Sequence, residues 1–303
     1  MADYQLGTIE AKFADIIWNS EPIPSSALVT VCATEFGWKK STTYTVLKRL
    51  IDKGIFRNEK GWTTFLSSAL ITLIISSVVS KDMFKAYSAT RNGAFALVCA
   101  CIWIGIFNSI QSICKERDII KREHRSGLHM SAYVASHMLF EMFLCLVESL
   151  IVTIIITIFR HQNLPSSGVL LPCVIELEIT FFLAIYCSDI LGLMTSSIVK
   201  TPVAAMTVMP FILIIQLVMS GMIFKLQGFA AKVANITVSK WSLNAICITS
   251  NVNDMLMANP DLEADYEYTV TNLLHMWGIL ALFILIYGII AIISLEFVDK
   301  DKR

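Results

Sequence analysis

The chain has 303 residues, of which 55% are hydrophobic and 16% are charged, and its mean hydropathy is +0.66. An average soluble domain carries about 25% charged residues, so this composition argues against a soluble enzyme and against a disordered chain. The 24 basic and 24 acidic residues cancel. The whole chain therefore has no charge excess that would point to nucleic acid, although charge can still concentrate in one segment.

Residues 1–61 mix polar and apolar residues as a small soluble domain does. Hydrophobic residues recur there at helical spacing and predict three helices. The third helix is expected to turn Leu47 and Leu50 inward and Thr43 outward. Residues 39–60 are rich in Lys and Arg, which is the electrostatic signature of a phosphate-binding surface. The pattern fits a DNA-recognition helix, and it also fits a solvated basic helix on a small helical domain.

The segments Leu6–Trp18 and Gly37–Gly54 resemble the penicillinase/methicillin-resistance repressor family of winged-helix proteins. This resemblance implies a wing that begins at residues 55–57 and operator DNA as a partner. It also implies DNA contacts through Lys40, Ser41, Thr42, Thr43, Tyr44, Lys48 and Arg49. That family continues through a complete wing and a dimerisation region, whereas this chain becomes apolar at Trp62. We therefore expect a truncated winged-helix domain over residues 1–61.

Long apolar runs fill residues 62–303, and a helix needs about 20 such residues to cross a bilayer. Six candidate transmembrane helices are found, at 62–80, 93–114, 131–159, 168–196, 202–223 and 271–296. The loops that hold most Lys and Arg lie on the side of the N-terminus in this arrangement, and basic loops favour the cytoplasm. The sequence therefore predicts an all-α, multi-pass protein of the cell (inner) membrane with both termini cytoplasmic.

Nucleotide-binding and metal-binding patterns are missing from the sequence. None of the 13 glycines is followed by Lys, so there is no Gly-Lys-Ser/Thr phosphate loop. The eight cysteines are scattered singly, which indicates packing rather than a disulfide or metal framework. We expect this chain to hold neither a cofactor nor a metal ion.

Residues 115–128 form a charged segment between the second and third predicted spans. Charges alternate in sign along it, and Ile119 and Ile120 supply a narrow apolar face. This pattern fits an interfacial helix lying on lipid headgroups, and it fits equally a short docking helix for a cytoplasmic partner.

Four motifs resemble the membrane domain of type-2 ABC exporters, in particular the G subfamily with its White-like and pleiotropic-drug-resistance-like members. They are Arg122–Leu128 with Ser131–Tyr133, Leu191–Leu193 with Ser196 and Ser197, Ser220–Ile223, and Ser239–Ala245. The resemblance implies a half-exporter of six helices over 62–303 that pairs with a second, identical or different half in the lipid bilayer. It also implies a separate ABC ATPase subunit that binds ATP and Mg, and an external loop over 224–270.

The same resemblance assigns roles to particular residues. It makes 115–128 the coupling helix, with the ATPase-coupling residues Glu116, Arg117, Ile119, Ile120, Arg122, Glu123, His124 and Arg125. It makes Met222 and Ile223 a gate at the outer mouth, and Trp103, Phe107 and Asn108 candidates for lining the substrate path, although aromatic residues at this spacing also serve plain packing.

Ionisable residues inside the predicted spans need an explanation, because each costs about 2.5–3.5 kcal/mol at the centre of a membrane helix on insertion scales. His137, Glu141 and Glu148 share one face of the third span, and Glu178 and Asp189 share one face of the fourth. These faces fit a polar cavity or a relay, and they also fit interhelical hydrogen bonds that only stabilise packing.

The sequence thus predicts the permease subunit of an ABC exporter for a hydrophobic or amphipathic substrate, not itself an enzyme, with an N-terminal module similar to DNA-binding domains. Two alternatives stay open. One is a membrane-tethered transcription regulator, and the other is an accidental fusion of a repressor fragment with an exporter permease.

Overall fold

The computed structural model describes residues 8–19, 25–52, 60–165, 167–224, 227–255 and 264–297. Regular secondary structure in these ranges is helical and contains no strand, so the all-α prediction is confirmed for the described chain. The chain divides into two compact units, Met1–Trp62 and Thr63–Arg303. The predicted wing strand at residues 55–57 lies outside the described ranges.

The first unit contains three helices, α1 (Thr8–Asn19), α2 (Ser25–Phe36) and α3 (Lys40–Asp52). Their apolar faces meet in a small core formed by Phe13, Ala14, Leu28, Cys32 and Leu50. Trp38, between α2 and α3, stacks on Phe36 with ring centroids 4.8 Å apart and closes one end of this core.

The described helices of the second unit are longer and more apolar. They are α4 (Lys60–Val78), α5 (Tyr87–Ser109), α6 (Ser112–Arg125), α7 (Met130–Arg160), α8 (Cys173–Ile198), α9 (Pro202–Val218), α10 (Phe229–Ala234), α11 (Val238–Thr249) and α12 (Val270–Glu296). The segment expected as an external loop, 224–270, therefore contains two helices, and two short 3-10 turns follow them.

Four helical segments of the described chain are long and apolar enough to cross a membrane. They are Tyr87–Arg117, Met130–Arg160, Cys173–Ile198 and Val270–Glu296. The other two predicted spans, 62–80 and 202–223, fall on α4 and α9, which have only 19 and 17 residues. Their lengths of about 28 and 25 Å lie slightly below the ~30 Å of a hydrocarbon core. Six crossings thus remain a prediction, whereas four segments of the described chain have the length and hydropathy of membrane spans.

Two predicted spans differ in their bounds from the helices of the structure. Helix α5, at the second span, begins at Tyr87 rather than at 93 and ends at Ser109 rather than at 114, and α6 starts at Ser112. The fourth span begins at Cys173 rather than at 168. Residues before it form a turn, because the Glu176 carboxylate accepts hydrogen bonds from the main-chain amides of Leu170 (2.6 Å) and Leu171 (2.9 Å).

Helix α8 is the centre of the second unit and packs against α5, α7, α11 and α12. Its contact with α5 is closest at Gly105, where an added Cβ atom would collide with the main chain of α8 at Ile185 and Asp189. Glycine is needed at this position because it lets two helix backbones approach directly, as small residues do in membrane bundles.

We expect Gly105→Ala to destabilise the bundle by about 1–3 kcal/mol, because the rigid α8 backbone cannot move away from the added methyl group. The measurement is the thermal unfolding of the detergent-solubilised protein. Gly278→Ala on α12 is the matched control, since nothing lies within 4 Å of its Cβ position. Equal melting temperatures for the two variants would contradict the close approach of α5 and α8.

Candidate coupling site and substrate path

Helix α6 is joined to the end of α8 by reciprocal hydrogen bonds. The main-chain amides of Ile113 and Cys114, in the first turn of α6, donate to Ser196 Oγ over 3.1 and 3.0 Å. In the other direction, Arg117 Nη1 donates to the carbonyl oxygens of Ser197 (2.8 Å) and Val199 (3.2 Å). Ser196 on α8 thus accepts from amides at the start of α6 that have no partner within α6, and Arg117 on α6 donates to carbonyl oxygens at the end of α8. The Arg117 cation also lies at the negative end of the α8 dipole.

A second set of contacts joins α6 to α7 and α12. Tyr133 on α7 donates its hydroxyl to Glu116 Oε2 over 2.8 Å, and His137 Nε2 lies 3.9 Å from the same oxygen. Near the other end of α6, His124 Nε2 lies 3.9 Å from Glu296 Oε2 on α12. A displacement of α6 would therefore act on three membrane helices.

The eight predicted coupling residues divide between two faces of α6. Glu116, Ile119, Glu123 and Arg125 are exposed, His124 is half-buried, and the side chain of Arg122 lies outside the described residues. Arg117 and Ile120 are buried, so their side chains face the bundle, and their role in coupling stays a prediction. They lie three and four residues from Ile113 and Cys114, so helical geometry turns all of them towards the bundle.

Two of the intramembrane acids make the interhelical hydrogen bonds that the packing interpretation requires. Glu178 accepts from the hydroxyls of Ser149 (2.6 Å) and Thr153 (2.5 Å) on α7. Glu148 Oε2 accepts from Asn108 Nδ2 on α5 over 2.7 Å. Asn108, a candidate for lining the substrate path, is thereby held against α7.

Asp189 does not fit the packing interpretation. Its side chain is completely buried, and neither carboxylate oxygen has a hydrogen-bond partner in the described chain. The neighbouring Ser109 hydroxyl donates instead to the main-chain carbonyl of Asp189, over 2.5 Å. The charged groups that act on Asp189 are two further acids, Glu141 and Glu148, both buried on α7.

The predicted gate and path residues lie in separate places. Met222 and Ile223 line a cavity of 490 Å³ together with Arg91, Lys240 and Tyr266. Trp103 and Phe107 are stacked with ring centroids 5.8 Å apart, and both are exposed on the surface of the chain. Trp103 lines a smaller apolar cavity of 260 Å³ between α4 and α5. The structure therefore does not bring the two sets into one chamber.

The predicted DNA-contact residues lie on α3, and one assignment is wrong. Lys40, Ser41, Thr42 and Tyr44 are exposed, and the side chains of Lys48 and Arg49 lie outside the described residues. Thr43 is completely buried. It shares a helix face with Leu47 and Leu50, four and seven residues on, and this face packs on the core. Burial raises the pKa of the Cys32 thiol on α2, and a hydrogen bond with Thr43 offsets part of that rise.

The hydrogen bonds of Ser196 and Arg160 are two sets of contacts that the sequence pattern did not reveal. Ser196 accepts the α6 amides, and Arg160 Nη2 donates to the carbonyl oxygens of Ser76 (3.0 Å) and Val79 (2.7 Å) at the end of α4. Both roles depend on which helix ends lie next to each other. The periodicity of a single helix gives no information about that. No group of three or more metal-ligating side chains among the described residues is placed to hold a metal ion.

Comparison with known proteins identifies related membrane domains. Residues 42–250 match the family model described as "ABC-2 type transporter". A curated relative, the ABC transporter ATP-binding/permease protein Rv1747 of Mycobacterium tuberculosis, is 28% identical over 152 residues. That match covers 49% of this chain and 17% of the relative, so the chain spans only a small part of the relative's length.

We expect Arg117→Gln to lower the unfolding free energy of the membrane unit by about 1.5–3 kcal/mol, because hydrogen bonds from a charged donor to the α8 end are lost. Thermal unfolding in detergent measures this loss. Lys232→Gln removes an exposed cation from α10 and serves as the control. A smaller loss for Arg117→Gln than for the control would show that the α6–α8 junction does not stabilise the bundle.

We expect Cys32 to react with maleimide only slowly, because it is buried and its raised pKa keeps the thiol protonated at neutral pH. Thr43→Ala should accelerate the reaction several-fold, since removal of a buried, hydrogen-bonded hydroxyl costs about 1 kcal/mol. Thr42→Ala, at the exposed neighbouring position, is the control. Mass spectrometry locates the label, and equal rates for both variants would contradict the assigned orientation of α3.

Proposed function

The chain belongs to the ABC-2 type transporter family, and we propose that it is the permease of an ATP-driven exporter for a hydrophobic or amphipathic substrate. Its partner would be an ABC ATPase subunit that binds ATP and Mg. The observation that carries this proposal is the placement of α6. This amphipathic helix turns Arg117 towards the end of α8, and its exposed side presents Ile119, Glu123 and Arg125 beside the Glu116 contact with α7.

The exposed face of α6 has the chemistry of a protein contact. It presents an apolar side chain, Ile119, beside the charged groups of Glu123 and Arg125. Protein interfaces commonly combine a small apolar centre with a polar rim. The opposite face is fixed by Arg117, so that a force applied to the exposed face would be transmitted to the end of α8 rather than absorbed by rotation of α6 alone.

Export would follow from alternating access. The ATPase would bind the inward-open and outward-open states of the permease with different affinity in each nucleotide state, because a partner can shift an equilibrium only by its differential affinity. Within this chain, α6 would shift α8 and α7, and Met222 and Ile223 would open or close the outer cavity. The relative Rv1747 is named as an ATP-binding and permease protein, which supports the pairing of this type of membrane domain with an ATPase.

The proposed topology has six crossings with both termini in the cytoplasm, so that α6 faces the ATPase. It requires α4 and α9 to cross as short helices. Exposed apolar side chains on α7 and α12, among them Phe140, Phe143, Leu282 and Leu285, would face lipid or a second half-permease. Either an identical or a different half would satisfy this arrangement.

The N-terminal unit is not needed for this proposal. Exposed Lys40, Ser41, Thr42 and Tyr44 remain available for the predicted DNA contact, but the family match beginning at residue 42 supports transport rather than transcription regulation.

We expect Ile119→Asp to abolish co-purification of the ATPase subunit from membranes while leaving the permease folded, because a charge would replace the apolar centre of the contact. Phe229→Asp on α10 is the matched control, since it also places a charge on an exposed apolar position of the chain. The amount of ATPase recovered per permease is measured by quantitative mass spectrometry.

Two results would contradict the proposal. One is the recovery of equal amounts of ATPase with Ile119→Asp and with the wild type. The other is the loss of ATPase with Phe229→Asp, which would place the contact on a different part of the chain.

A further inference from the structure

Helix α7 carries a continuous row of titratable side chains that export by itself does not explain. His137, Glu141, Cys145 and Glu148 follow one another at intervals of four, four and three residues, so they lie along one face of the helix. His137 is half-buried near the start of α7, and the other three are buried. The row begins beside α6, where His137 Nε2 lies 3.9 Å from Glu116 Oε2.

The deep end of this row meets Asp189 from α8. Asp189 interacts electrostatically with Glu141 and Glu148, and Cys145 interacts electrostatically with all three acids. Both Asp189 oxygens and Glu148 Oε1 are buried and lack a hydrogen-bond partner in the described chain. A buried carboxylate requires hydrogen-bond donors for its oxygens, and these three have none within the described chain.

Two described arginines of the bundle bind groups other than the three acids. Arg117 donates to the end of α8, and Arg160 donates to the end of α4. The other titratable groups that face the acids are Cys101 from α5, Cys145 from α7 and Tyr186 from α8. From α12, Tyr287 faces Cys187 and donates to the Ile236 carbonyl. Thiols and phenols do not supply positive charge at neutral pH.

Three mutually repelling carboxylates cannot all stay ionised in such surroundings. Like charges repel more strongly in a protein interior than in water, and each buried charge also loses its hydration. A proton bound to one carboxyl group removes a charge, and it also creates an O–H donor for a neighbouring oxygen. Binding of a proton therefore reduces the charge repulsion in this cluster and supplies a hydrogen-bond donor at the same time.

We propose that Glu141, Glu148 and Asp189 share an exchangeable proton that reaches them from the Glu116 end of α7 through His137. This proposal rests on the proposed function for its biological meaning, because Glu116 belongs to the coupling helix. A movement of α6 would separate Glu116 from His137 and change access to the path. Proton occupancy of the cluster and the state of the ATPase would then be linked.

One neighbouring acid provides an internal comparison. Glu178 accepts a hydroxyl hydrogen bond on each of its two carboxylate oxygens. It lies on α8, within the same bundle as Asp189. By contrast, neither carboxylate oxygen of Asp189 accepts a hydrogen bond within the described chain, and Glu148 accepts one on Oε2 only.

The experiment uses dicyclohexylcarbodiimide, an apolar reagent that modifies protonated carboxyl groups in membranes. The full chain is treated in lipid nanodiscs over a range of pH, and adducts are located by mass spectrometry. We expect an adduct on Glu141, Glu148 or Asp189 that declines as the pH rises, with little on Glu178. Asp189→Asn should reduce the adduct yield several-fold, and Glu141→Gln provides a second variant if Asp189→Asn fails to fold. No adduct on the three acids, or an equal yield on Glu178, would overturn the site.

The path is tested by the rate at which deuterium enters the protonated carboxyl group, followed by the infrared carbonyl band after transfer to heavy water. We expect His137→Gln to slow this exchange several-fold. Ser136→Ala, at the adjacent exposed position, should leave the rate unchanged. An unchanged rate in His137→Gln would overturn the path. Because recovery of the ATPase is measured separately, failure of the proton site and failure of the export proposal are distinguishable.

Discussion

The junction between α6 and α8 is the constraint on which the arrangement of the membrane unit depends. The first amides of a helix and the last carbonyl groups of a helix have no hydrogen-bond partner within that helix. A short helix between two membrane helices brings such groups of different helices together. Here Ser196 accepts the first amides of α6, and Arg117 donates to the last carbonyls of α8. The same contacts fix which face of α6 remains exposed, so stability and the proposed transmission of force have one physical origin.

Polarity inside the bundle serves two different purposes. Glu178 and Glu176 have hydrogen-bond donors and hold helices and turns together, as polar groups commonly do in membrane proteins. Neither carboxylate oxygen of Asp189 has such a donor within the described chain, and the main chain of Asp189 lies beside Gly105 of α5. A rigid helix contact on one side and mutual repulsion on the other leave this carboxyl group few ways to lower its energy except by binding a proton.

Sequence patterns predicted the long helices because the length and hydrophobicity of an apolar run are local properties. The same reasoning placed the start of α8 at 168, because it could not foresee that Glu176 would hold the preceding residues in a turn. It assigned Thr43 to the outer face, although that residue shares its helix face with Leu47 and Leu50. It placed Arg117 among the coupling residues, but a basic residue in a charged segment carries no sign that it will meet the end of another helix. Ser196 stood out only as part of a family motif and Ser109 not at all, because the contacts of a serine depend on a neighbouring helix that the local sequence does not show.

The central claim is that α6 and the end of α8 move as one body when the ATPase changes state. Spin labels at Glu123→Cys on α6 and Lys200→Cys just beyond α8, in a chain whose native cysteines are replaced, would report the distance between them. In the complex with the ATPase, the account predicts the same narrow distance distribution with and without ATP, and a broader one when Arg117→Gln is added. A wild-type distance that shifts with nucleotide would contradict it.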